Sequence, residues 1–274
     1  MPRLATLLLR HIILMGLSVL FLVPFVFMLS TSLKTPASVM SPQIEWIPKQ
    51  PQWSNYSEAI AAFPFWMYTK NTLIICVLSA VGRVLSSAVA AYGFSRVQWK
   101  WREPIFILML ATIMLPAQAT LLPVFLWFRA LGWNGTIAPL VVPSFFGHAF
   151  SIFLLRQFYR GIPAELSDAA RVDGCTEWAI FWRIVAPLAK PALATVAMFA
   201  FMDAWTDFQG PLVYLHDENQ FTLALGLQAF QGRHNSQWHL MMAAATLMTI
   251  PMVFVFMIAQ KTFVKGISVG GVKG

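Results

Sequence analysis

The chain has 274 residues, 58% of them hydrophobic and only 11% charged, with a mean hydropathy of +0.66. Soluble domains run near a quarter charged, so the composition excludes a soluble enzyme or binding module and defines an integral membrane protein. The formal charge of +8 is dispersed over short loops between apolar runs. That is how membrane topology is written, and it sets nucleic-acid binding aside.

The first apolar run, residues 12–33, follows Arg3, Arg10 and His11. At 1.5 Å per residue it is long enough to cross a hydrocarbon core of roughly 30 Å, and it exceeds the apolar core of a signal peptide. It reads as the first of six spans. From Lys34 to Lys70, Pro36, Pro42, Pro48 and Pro51 break any long helix, giving an outer loop with a short helix lying on the membrane surface. The second span covers 71–94. Gly82, Ser86 and Ala90 recur on one face of it, a pattern that lets helices approach closely, unless the small residues are scattered by chance. The third span, 105–128, carries Pro116, Gln118 and Pro123, so a kink is expected there. Three more spans follow at 137–155, 191–208 and 240–258. The fold class is an all-α membrane protein, a single domain over 1–274.

Six spans place both termini on one side. With the N-terminus go the 95–104 loop, the 156–190 loop and the C-terminal tail, holding 13 Lys and Arg against 5 on the other side, with Arg83 inside the second span. The positive-inside rule makes the first set cytoplasmic.

The longest inner loop contains a mixed-charge island, Pro163 to Pro187. Pro163 suits a first helical position, Glu165 and Asp168 suit the positive N-terminal end, and Gly174 suits a left-handed stop. Arg171 and Asp173 share the charged surface, and Ala169 with Ala170 forms a patch nearly bare of side chains. A second helix is expected from Thr176 as N-cap to Val185, ended by Pro187, with Trp178, Phe181, Trp182 and Val185 packing beneath the bundle. The alternative is an ordinary solvated loop with two surface helices.

Chemistry-bearing motifs are few. The sequence has no G-x-x-x-x-G-K-[ST], so phosphate cradling is not expected in this chain, and it has no H-E-x-x-H. Cys76 lies in an apolar run and Cys175 in a polar loop, which implies neither a disulfide nor a metal site. Within the spans, ionisable and amide groups are candidates for a solute path. Asp203 and Asp207 lie four apart, with Trp205 and Gln209 nearby. Carboxylates and amides can bind vicinal hydroxyls and an indole can stack on a sugar ring; alternatively Asp207 fixes a helix break before Gly210-Pro211. Gln118 serves either the path or a helix contact. Arg83 needs an aspartate partner, or else lines a wet cavity that attracts an anion. His148 either titrates or is a hydrogen-bonded structural histidine.

The island also carries a motif. Asp168-Ala169-Ala170, three residues, Gly174, nine residues, then Ile184 and Pro187 resembles the EAA loop of permease subunits of bacterial ABC importers. Asp168 stands for the usual Glu and Ala186 for the usual Leu. Asn71-Thr72-Leu73, Ala91-Tyr92-Gly93-Phe94, Leu115-Pro116 with Gln118, Phe153 to Phe158, Trp205 with Asp207-Phe208, Pro211-Leu212 and Phe263 to Gly266 are similar to the carbohydrate branch, relatives of the second maltose permease subunit. Thr206 replaces an Asn usual there, and Asp203 is atypical.

The resemblance implies a six-span inner-membrane permease whose first loop helix is a coupling helix between spans four and five. Asp168, Ala169, Ala170 and Gly174 are the carried-over positions, flanked by Glu165 and Asp173. The partners implied are a second permease subunit, a dimeric ATPase holding ATP and magnesium, a solute-binding protein outside, and membrane lipid. The tail Gly270 to Gly274 resembles tails that reach toward the ATPase. A sugar or oligosaccharide is the expected cargo, moved by alternating access. A phosphorylated polyol such as glycerol phosphate would require several cations at the site, and only Arg83 lies within a span. A proton-coupled secondary transporter could use Asp203, Asp207, His148 or Arg83, but its loops would not require the island's spacing.

Overall fold

A computed structural model describes residues 2–43, 45–231 and 237–268, and every regular element among them is helical. Arg233, Lys273 and the tail Gly270 to Gly274 lie outside the described residues. Four helices are long and apolar enough to cross a membrane, Thr6–Ser32, Phe65–Ser95, Ala138–Gly161 and Trp238–Gln260. Two bent pairs raise the number to six if each is one span.

The bends have local causes. Arg102–Met114 and Ala117–Ala130 meet at 101°, where a proline disfavours helical geometry in the residue before it. Leu115 accordingly sits at φ −76°, ψ 119°, and the new helix starts after Pro116. Glu177–Leu188 and Lys190–Thr206 meet at 79°. Here the structure differs from the expected stop at Pro187. Phe181–Val185 forms a π-helical turn in which the Ala186 N–H reaches the Phe181 carbonyl. Such a turn redistributes the carbonyls that a proline ring would otherwise crowd. The helix therefore runs through Pro187 to Leu188, and the break falls at Ala189.

The chain forms two compact units. One takes in the chain up to Phe65 together with Gly226–Pro251. Its organising centre is a buried polar knot at the end of the first long helix. The Asn55 amide donates to the carbonyls of Ser32 at 2.8 Å and Lys34 at 2.9 Å, and Ser32 Oγ meets the Tyr56 hydroxyl at 2.8 Å. The loop expected over 34–70 thus contains two short helices, Pro36–Val39 and Ser54–Ala61, tied by side chains to backbone groups that the first helix leaves open.

The other unit comprises Trp66–Leu225 and the chain from Met252. The Phe65–Ser95 helix supplies a face of small residues on which the short Ala138–Val141 helix and the Val142–Phe146 turn lie. Ser79 Oγ donates to the Leu140 carbonyl at 3.2 Å, and Ser86 Oγ to Ser144 at 2.9 Å. A Cβ at Gly82 would lie 2.6 Å from the Phe145 ring. The Gly82-Ser86-Ala90 repeat is therefore a close-approach surface, with Ala90 against the core of this unit. Gly147, at φ 92°, turns the chain, and His148 caps the Ala149–Gly161 helix by accepting from the Ser151 N–H. The structural reading of His148 is the one observed. Ala170, Ile180, Phe181 and Val185 join Ala91, Tyr92, Leu155 and Tyr159 in one buried cluster.

Candidate functional site

The island is built on a short helix whose ends are written in its residues. Ala164–Val172 is helical after Pro163, and Glu165 lies in its first turn. At its other end the Gly174 N–H reaches the Arg171 carbonyl at 3.0 Å and the Cys175 N–H reaches Ala170 at 2.9 Å. This is the double-bonded Schellman ending, which requires a left-handed residue. Gly174 supplies it at φ 81°. Thr176 then caps the next helix by accepting from the Ala179 N–H at 3.3 Å.

An ionic junction fastens the two helices to the rest of the unit. Arg171 Nη1 lies 2.6 Å from Asp168 Oδ1, and its Nε lies 2.8 Å from Glu177 Oε1. The Tyr92 hydroxyl donates to Glu177 Oε2 at 2.5 Å, so one carboxylate joins the Phe65–Ser95 helix to the loop. The hydrogen bond to Glu177 raises the Arg171 guanidinium above its ordinary range, with desolvation opposing. One residue past the same long helix, Arg96 donates to the carbonyls of Tyr159 and Ile162, which end the Ala149–Gly161 helix. A cleft of about 570 Å³ opens here, lined by Ser95, Arg96, Ser167, Asp168, Arg171 and Glu177 among others. Ser167 is 1% exposed, and its hydroxyl has no hydrogen-bond partner among the described residues.

The six island residues divide by side. Glu165, Asp168, Ala169, Asp173 and Gly174 are exposed, whereas Ala170 is buried in the core cluster. The expected Ala-Ala patch is therefore split, because neighbouring residues point about 100° apart on a helix. What the helix shows outward is Leu166, Ala169 and Val172, the last 88% exposed. The aromatic set divides likewise, with Phe181 buried against Tyr92 while Trp178 and Trp182 remain exposed.

Nearby, Arg156 is almost wholly buried. Its guanidinium lies 3.9 Å from the centre of the Phe106 ring, donates to the Phe94 carbonyl at 2.9 Å, and meets Glu103 at 2.5 Å. Sequence reasoning did not single out Arg96 or Glu177, polar residues flanking apolar runs, and it quoted Tyr92 and Arg156 only within the runs that carry the family resemblance, with no contact assigned to either.

The candidate path residues do not all come together. Arg83 Nη1 pairs with Asp203 Oδ2 at 2.5 Å, so the aspartate partner that Arg83 required is Asp203. Asp207 follows the Lys190–Thr206 helix and accepts from the Gly210 N–H at 3.0 Å, which is its helix-break role. Trp205 is 1% exposed and stacks on Phe201 at 5.6 Å. Its ring face is thus occupied, and sugar stacking on it is not available in this conformation. Gln118 and Gln209 are exposed, each just beyond a helix break. No group of three or more possible metal ligands occurs among the described residues.

Long apolar helices and broken apolar pairs, with a polar helical junction between two of them, define a multi-pass membrane protein. Residues 82–269 match the family described as binding-protein-dependent transport system inner membrane component, and the chain belongs to that family. It is a transport component, not an enzyme. Among its relatives are the arabinooligosaccharides transport system permease protein AraQ of Bacillus subtilis (strain 168), 31% identical over 95% of this chain and 93% of that one, and the melibiose/raffinose/stachyose import permease protein MelC of the same organism, 32% identical over 92% and 91%. A crystal structure of a bacterial ABC transporter involved in the import of the acidic polysaccharide alginate contains a chain of the same fold, with a TM-score of 0.81 and 24% identity over 93% of this chain and 95% of that one.

Proposed function

We propose that this chain is the permease subunit of an ATP-driven importer of a sugar or oligosaccharide. It crosses the bacterial inner membrane six times as one permease domain, each bent pair counting as one span, with both termini in the cytoplasm. A second permease subunit completes the path, a solute-binding protein delivers cargo outside, and a dimeric ATPase holds ATP and magnesium. The cargo names of AraQ and MelC support the saccharide reading.

The observation that carries the mechanism is the junction of Arg171, Glu177 and Tyr92. Ala164–Val172 is the coupling helix, held to a membrane helix by one carboxylate and stopped by Gly174. Its outward face offers apolar Val172 and Leu166 beside acidic Glu165 and Asp173, a surface for a cleft with apolar walls and basic rims. Closure of the ATPase dimer then moves the helix as a lever, and the Phe65–Ser95 helix moves with it.

The test is reconstitution of the whole complex in proteoliposomes, with uptake of arabinotriose, raffinose and maltotriose measured with and without ATP. ATP-dependent uptake of at least one is expected; uptake that follows a proton gradient and ignores ATP would overturn the reading. Arg83 is already engaged by Asp203, which weighs against a phosphorylated polyol.

A further inference from the structure

The Arg83–Asp203 pair joins two apolar helices, and one of its members is open. About 18 to 20 Å of helix separates Arg83 from Ser95, and Asp203 from Lys190, at 1.5 Å per residue, which puts both near the bilayer midplane. The Arg83 side chain is 13% exposed and the Asp203 side chain 59% exposed. A carboxylate at that depth facing lipid is costly, so the surface carrying Asp203 faces protein or water. Thr206, three residues on and also exposed, extends this polar strip along the same helix face. Arg83 occupies Oδ2 of Asp203, leaving Oδ1 without a hydrogen bond among the described residues.

We propose that Asp203 and Thr206 form a hydroxyl-binding station for an uncharged saccharide on this chain's side of the path, with Arg83 balancing the charge. The free carboxylate oxygen accepts from a sugar hydroxyl, and Thr206 Oγ, which donates to the Met202 carbonyl at 2.9 Å, accepts from another. Because Arg83 cancels Asp203, the station has no net charge. An anionic sugar would have to displace Asp203 from Arg83 and lie beside the released carboxylate, so it is rejected. This inference rests on the importer reading above.

The experiment uses the reconstituted complex, with raffinose, arabinotriose and maltotriose as uncharged probes and digalacturonate as the anionic competitor. Asp203→Ala is expected to slow ATP-dependent uptake of the transported probe about tenfold or more, the effect of losing one charged hydrogen bond, while the solute-binding protein still binds its sugar. Asp203→Asn frees Arg83, and digalacturonate, inert toward the wild type, is expected to inhibit uptake by that variant. A purely structural ion pair would not create that sensitivity. In case either variant fails to assemble, Thr206→Cys in a Cys175→Ser background supplies a second reading. A membrane-impermeant thiol reagent should modify it, and the transported sugar should slow the modification. Wild-type uptake by Asp203→Ala, no new inhibition of Asp203→Asn, or an unreactive Thr206→Cys would each overturn the station. Absence of any ATP-dependent saccharide uptake by the wild-type complex would instead overturn the importer reading.

Discussion

The Tyr92 hydroxyl and the Glu177 carboxylate meet at 2.5 Å, joining a residue in the last turn of a 31-residue helix to the first residue of the helix that follows the Gly174 turn. Tyr92 is buried, so removing its acceptor leaves a hydroxyl unsatisfied at a cost of about 1–3 kcal/mol. Glu177→Leu is expected to lower the melting temperature of the purified protein and to abolish ATP-driven uptake, whereas Glu177→Gln keeps an acceptor and most of the stability. A double-mutant cycle with Tyr92→Phe measures the coupling directly; additive effects would show that the contact carries no energy.

Gly174 separates backbone strain from steric clash. A Cβ there would meet nothing within 4 Å, but the residue sits at φ 81°, and left-handed geometry costs an ordinary residue about 1–2 kcal/mol. Gly174→Asn should retain most uptake, because asparagine tolerates that geometry, while Gly174→Val should insert normally and lose co-purification with the ATPase. Equal behaviour of the two variants would remove the Schellman ending from the coupling mechanism.

At Gly82 the limit is space. Gly82→Ala pushes a methyl group into the Phe145 ring, and overpacking of this kind costs about 1–3 kcal/mol. Phe145→Leu in the same chain should recover much of the loss. Thermal unfolding of the four combinations tests this, and a stable Gly82→Ala single variant would contradict the observed packing.

Arg156 is bound on three sides by groups that suit a planar guanidinium: a ring face, a carbonyl and a carboxylate. Lysine cannot stack and donate in two directions at once. Arg156→Lys should therefore be nearly as destabilising as Arg156→Met when unfolding is followed in detergent. A lysine variant close to wild type would reduce the site to simple charge pairing.

The parts legible in the sequence were those written in local chemistry. Pro163, Gly174 and Thr176 each imply a helix end, and each marks one in the structure. Apolar run lengths located every long helix, and the small residues of the Phe65–Ser95 helix declared a close contact without naming what fills it. Illegible were relationships set by the third dimension. Nothing adjacent in sequence indicates that Ala170 turns inward while Ala169 turns outward, that Phe201 covers Trp205, or that Glu177 answers both Arg171 and Tyr92. Proline was misleading at position 187 because a π-turn absorbs it, a solution that depends on the carbonyls of the preceding turn.

The Tyr92–Glu177 contact also has a thermodynamic corollary. Linkage is reciprocal: if a ligand at one place favours one disposition of the Phe65–Ser95 helix, then whatever binds the Ala164–Val172 helix must alter that ligand's affinity by the same factor. The junction therefore has no built-in direction. On the proposed coupling, force applied to the loop would be felt among the spans and occupancy among the spans announced at the loop, so a protein grasping Val172 and Asp173 would sense as well as push.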